Sequence, residues 1–237
     1  MITTPRLPQI VCTAALLGLG SVAQAQVNIA TGAPVVAGSV AADYPNGGIN
    51  TGGIFSTANV TDGQNASPDN DTGGITEPSQ DGSFWLGPDG SQTAFFVIDL
   101  GTAQGIGSFQ LFNTRNGAFN DRGTGLFEIR ASNDLNDLNA PTSTATLLAS
   151  GSLTEQTYVG GSPAATPIVP DTFSSSSATP FQFVRFDALS IGAAADKGFP
   201  DAGVGLNEIR VIAVPEPGSA GLLCVGALGL LARRRRA

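Results

Sequence analysis

The 237-residue sequence predicts an all-β fold, a jelly-roll β-sandwich, with a removable segment at each end. Three observations lead there. Short apolar runs of strand period recur through the middle of the chain. Glycine (31 residues) and proline (15) punctuate those runs. No window of ten or more residues carries an apolar stripe at helical spacing, so short strands joined by loops make a sandwich the natural architecture.

Taken in chain order, residues 1–25 carry Arg6, an apolar run over 10–20, and Ala23-Gln24-Ala25. A basic start, a short greasy core and small residues before the cut read as a secretory signal removed before Gln26. Residues 26–39 are a leader or a first strand. Residues 61–83, rich in Asp, Asn, Gly and Ser, form a long loop. Strands follow at 94–100, a nearly continuous apolar run, and at 108–113, where Phe109 and Leu111 alternate. In 126–132, Phe127, Ile129 and Ala131 share one face while Glu128 and Arg130 share the other. Further strands are expected at 144–150, at 181–189 and at 206–214, the last with Ile209 and Val211 inward. Residues 151–179, rich in Ser, Pro and Thr, are expected as a second long loop.

Charge and reactive residues exclude several functions. Residues 26–214 hold six of the eleven basic residues and eighteen of the nineteen acidic ones, a net charge near −12. Such a surface repels phosphate backbones, which argues against nucleic acid as a partner. Cys12 and Cys224 both lie outside this span, so the middle of the chain has no disulfide and no thiol nucleophile. The sequence has no histidine, which removes the usual general base, the Ser-His-Asp triad and the commonest zinc ligand together. Paired carboxylates of glycosidase type are arithmetically available, but no segment forms a recognisable catalytic neighbourhood. No catalytic residue is assigned, and the chain is expected not to be an enzyme.

The C-terminus reads Val214-Pro215-Glu216-Pro217-Gly218, then an apolar stretch to Ala232, then Arg233-Arg234-Arg235-Arg236. Residues 218–232 suit a short membrane helix stopped on the cytoplasmic side by the arginines. In this order the pieces closely resemble the PEP-CTERM sorting domain over residues 214–237. The resemblance implies an exosortase-type membrane protease as partner. It also implies delivery to the cell surface or extracellular matrix after a transient stay in the inner membrane.

A second resemblance covers about residues 40–213. Val60-Thr61-Asp62-Gly63, Ser83-Phe84-Trp85 and residues 96–101 stand in the order of the discoidin, or coagulation-factor type C, family of galactose-binding-like jelly rolls. So do residues 127–134, Phe183-Val184-Arg185-Phe186 and residues 205–211. The resemblance implies a calcium ion held by Asp62, Ser83 and Glu208, although an insertion ahead of Trp85 departs from the family's compact pattern. Calcium takes six to eight hard oxygens, which carboxylates and loop carbonyls supply. Asp69 and Asp71 are alternative donors. The resemblance also has Trp85 packing as a structural residue rather than stacking on a sugar.

Arg115, Asn116, Phe119, Asp121 and Arg122 lie between two expected strands, where paired donors and acceptors beside an aromatic ring could grip sugar hydroxyls. The alternative is a hydrated loop with Arg122 bracing it from within. Together these readings predict an exported protein whose sandwich binds exopolysaccharide or other glycans. The competing expectation is a structural or adhesive matrix protein with no defined small ligand.

Overall fold

The computed structural model describes residues 26–39, 55–63, 84–88, 90–114, 122–139, 144–155, 169–192 and 203–214. Nine strands are described: β1 (Val35–Gly38), β2 (Trp85–Leu86), β3 (Ala94–Gln104), β4 (Ile106–Asn113), β5 (Leu126–Ser132), β6 (Thr146–Ser152), β7 (Asp171–Ser174), β8 (Phe181–Ala188) and β9 (Gly205–Ala213). A 3-10 turn spans Thr57–Thr61, and a single-turn helix, α1, spans Asn136–Asn139. The strands form two antiparallel sheets, one ordered β1-β3-β8-β5-β6 and the other β2-β9-β4-β7.

Side-chain alternation explains how the sheets face each other. On β5, Phe127, Ile129 and Ala131 are buried, while Glu128 and Arg130 are half-exposed. The same period puts Phe96 and Ile98 of β3, Val184 and Phe186 of β8, Phe109 and Leu111 of β4, and Ile209 and Val211 of β9 into one core. Phe186 stacks between Phe96 (5.2 Å) and Phe127 (5.9 Å), so aromatic rings run across three adjacent strands. Trp85 enters this core from the other sheet. It is fully buried, edge-on to Phe96 at 5.0 Å and to Phe186 at 6.3 Å, and its indole N–H donates to the Ser39 carbonyl at 2.7 Å.

Three parts depart from the sequence expectation. β3 runs four residues beyond 100, because Gly101, at φ +79°, turns the strand without ending it. β7 lies inside the expected loop 151–179. Its four residues include one apolar side chain, Phe173, too short a pattern to register, and it survives as an edge strand paired only with β4. Within 26–39, expected as a leader or first strand, β1 supplies the strand, and residues 26–33 ahead of it are not a free leader. They are stitched to β9: Ile29 N–H donates to Val211 O (2.8 Å), Ala213 N–H to Val27 O (3.0 Å), and Val211 N–H to the Asn28 side chain (3.1 Å). This segment and β2 together cover the free edge of β9.

The antiparallel pairing gives the sandwich two poles. Ile106 lies opposite Ala213 at one end of the β4–β9 pair, and Asn113 opposite Leu206 at the other. Gly205 marks the second pole, where a side chain would meet the Trp85 carbonyl and Thr114, each at 2.9 Å. Only a residue without Cβ lets these three strands approach there.

Candidate functional site

Two regions receive the residues singled out in the sequence. The first is the outer face of the four-stranded sheet. Here the turn Thr57–Thr61 packs over β9, capped at its start by the Ser56 hydroxyl and at its end by Asp62. Asp62 is half-buried, and Gly63 follows at φ +80°. Beneath them Glu208 is fully buried; its carboxylate accepts from Arg210 Nε at 3.0 Å. The Arg210 guanidinium lies 4.8 Å over the Phe112 ring, so the pair is held flat against the sheet. Gly63, Glu208 and Arg210, with Asn28, Thr31 and Gln110, line a cleft of about 400 Å³.

Register explains why Glu208 sits there. Phe112 pairs with Glu208 but Asn113 with Leu206, so Asn207 is the extra residue of a β-bulge. The bulge resets the alternation: Leu206 and Ile209 both enter the core, and Glu208 is left under the turn. Asn207 is itself 1% exposed, and its side-chain oxygen has no hydrogen-bond partner. Sequence periodicity does not mark Asn207, because the bulge appears only once both strands are paired.

Oxygen donors of these kinds suit a hard cation in their chemistry. Two carboxylates and a buried amide oxygen lacking a donor are ligands that Ca²⁺ accepts. Among the described residues, no group of three His, Cys, Asp or Glu side chains gathers. Ser83, the third ligand implied by the family resemblance, lies outside the described residues, as do Asp69 and Asp71.

The second region is the pole at Asn113. The Asn113 side chain bonds Thr124 N–H (2.9 Å), Thr124 O (2.9 Å) and Thr154 O (3.1 Å), and so clamps the two ends of the segment 114–122. Thr124 Oγ1 donates to Gly205 O at 2.8 Å. Arg122 is 6% exposed and bridges to Gly203 in parallel register. A Cβ on Gly203 would lie 3.2 Å from the Arg122 guanidinium and 3.4 Å from the Pro88 and Ser91 carbonyls. The arginine is thus buried, with its guanidinium close to Gly203. Arg115, Asn116, Phe119 and Asp121 lie outside the described residues. Of the sorting motif, Val214 is described, and Pro215, Glu216, Pro217 and the Arg233–Arg236 cluster are not.

Comparisons with known proteins bear on the tail and on the fold. No curated protein gives a significant match to the sequence. Among solved structures, the chain is similar to a fragment of a putative chitobiase from Bacteroides thetaiotaomicron. The two share 14% identity over 83% of this chain and 97% of that one, with a TM-score of 0.53. It also aligns with the lectin domain of lectinolysin complexed with Lewis B antigen (16% identity, 80% and 98% coverage, TM-score 0.46). A third alignment is with CBM32-3 from a family 31 glycoside hydrolase of Clostridium perfringens (15% identity, 80% and 95% coverage, TM-score 0.47). At such identities the likeness concerns the fold. Residues 213–236 match the family model of the PEP-CTERM protein-sorting motif, so the chain is a β-sandwich whose last strand runs directly into a PEP-CTERM sorting signal.

Proposed function

We propose that this is an exported, non-catalytic protein, sorted to the cell surface or extracellular matrix, whose sandwich binds a glycan. The observation that carries the reading is the junction at residue 213, where β9 ends and the matched sorting motif is under way. The two-sheet fold is compatible with this, with segments joining its strands at both poles that can carry a binding surface. Fold likeness alone does not assign a ligand. The segment 114–122 is the proposed contact surface. Arg115, Asn116, Phe119 and Asp121 would meet sugar hydroxyls and a ring face, and Arg122 would hold the segment's end from inside. Exopolysaccharide is the proposed ligand class, and an exosortase-type membrane protease the processing partner.

A glycan array together with a pull-down on the native exopolysaccharide tests this. Saturable binding that is lost in Phe119→Ala is expected. Absence of binding on both would favour the structural or adhesive reading, and turnover of chromogenic glycosides would overturn the non-catalytic one.

Calcium belongs to the same proposal. Asp62 and Glu208, with Ser83, would hold the ion, and it would supply a cross-link between the turn Thr57–Thr61 and the last strand. A ligand that binds only the folded form raises the melting midpoint, so the midpoint should fall when a chelator is added.

A further inference from the structure

We propose that the two processed ends of this chain leave the sandwich side by side, and that the pole between them faces the lipid surface while the tail is still embedded. The inference rests on the sorting reading above and adds an orientation to it. The juxtaposition comes from β9. Asn28 forms an antiparallel bridge with Ile212, and Ala213 N–H donates to Val27 O at 3.0 Å. Gln26, the residue after the expected signal cut, therefore stands beside Val214, the residue before Pro215. Val214 N–H is itself bonded to Gly105 O at 2.9 Å, so the fold extends to the last residue before the Pro-Glu-Pro sequence.

The tether is short. Five residues, 215–219, separate Val214 from the apolar stretch that begins at Ala220. Fully extended, five residues reach at most about 18 Å. With the stretch in the membrane, the Val214 pole cannot stand further than that from the hydrocarbon edge. The opposite pole, at Asn113 and Gly205, lies seven strand residues away along β4, about 24 Å at the usual rise.

The surface around the two exits suits that position. Residues 26–29, 101–107, 175–180 and 211–214 contain no acidic or basic side chain, in a span whose net charge is near −12. Val27 is 59% exposed and Val214 47% exposed at this pole. Two carboxylates flank this surface: Asp99 accepts from Gly101 N–H (2.7 Å) and Gln182 Nε2 (3.0 Å), and the exposed Asp134 lies beside Asn133, whose side chain bonds Pro180 O. A strongly acidic domain is repelled by anionic lipid wherever its charges approach, so the charge-free stretches around the two exits are the part of this pole that can rest there. The pole at Asn113 and Gly205 then points outward.

Depth-dependent quenching tests the orientation in the full precursor. A Cys224→Ser background leaves the signal-cleaved chain without thiols. Thr102→Cys at the tethered pole and Gln92→Cys at the far pole each carry a fluorophore, in vesicles of mixed zwitterionic and anionic lipid with headgroup nitroxides. Several-fold stronger quenching at residue 102 than at residue 92 is expected. Inserting a long Gly-Ser spacer between Val214 and Pro215 should relax that difference. Equal quenching at the two sites in vesicle-bound protein, or protection of residue 102 only after a sorting protease is added, would overturn the proposal. Failure of the precursor to float with vesicles would instead refute the membrane-sorting reading on which it rests.

Discussion

On the outer face of the five-stranded sheet, Arg185 and Asp187 of β8 form an ion pair between residues two apart. On the outer face of the four-stranded sheet, Glu208 and Arg210 of β9 do the same. Residues two apart on a strand share a face, so both pairs follow from the pleat. Their surroundings differ. Arg185 spends all three nitrogens inside the protein: Nε and Nη2 on Asp187, and Nη1 on the Leu138 carbonyl of α1. Its guanidinium lies 3.8 Å over the Phe95 ring. That arrangement clamps α1 to the sheet over a small apolar cluster of Val97, Leu138 and Ala145. In the other pair the carboxylate is the buried partner, at 1% exposure, and the arginine, at 30%, lines an open cleft. The preceding residue, Asn207, has a buried side-chain oxygen with no hydrogen-bond partner. The closed pair fastens α1 to its sheet; the open one leaves its arginine partly in solvent.

The largest expected effect breaks the fastening. Arg185→Met should destabilise the fold by about 3 kcal/mol, because Asp187 and the Leu138 carbonyl lose their donor in a buried setting. Denaturant unfolding measures it, and a loss below about 1 kcal/mol would mean that the pair is solvated. Arg185→Lys should recover only part, since an ammonium cannot reproduce the fork over Phe95.

Glu208→Gln should abolish any calcium-dependent rise in melting midpoint. At a hundredfold excess over the dissociation constant, that rise corresponds to about 2.7 kcal/mol in the unsubstituted protein. A rise that persists would move the ion elsewhere.

Asn207→Ala sharpens the comparison further. With calcium present it should cost about 1 kcal/mol, and with chelator close to nothing, since removal of an oxygen that no donor satisfies carries little penalty. An equal cost in both conditions would make Asn207 purely structural.

The smallest effect belongs to the third pair of this type, Glu128–Arg130 on β5, whose side chains are 30% and 28% exposed. Arg130→Ala should change stability by less than about 1 kcal/mol.

Period-2 alternation reveals the sandwich where a strand such as β5 buries one face, because a buried face leaves its mark residue by residue. Phe127, Ile129 and Ala131 against Glu128 and Arg130 could be read directly. What the pattern conceals is whatever depends on two strands at once. β7 has one apolar residue and exists because β4 is beside it. The 26–33 segment is short and polar in part, and becomes sheet only through β9. For the candidate site, Asp62 and Glu208 are marked by family order, but Arg210 as the partner of Glu208 and Asn207 as a buried oxygen need the bulge. Arg122 is an arginine in a polar stretch by sequence and a buried one in the structure, because Gly203 leaves room for its guanidinium.

The single tryptophan gives this molecule a built-in optical probe. Trp85 belongs to one sheet and rests on two phenylalanines of the other, with its indole N–H committed to the Ser39 carbonyl. Its emission should therefore sit well to the blue in the folded protein and shift red only when the sheets part. One unlabelled fluorescence trace then reports separation of the two layers, without confusion from a second indole.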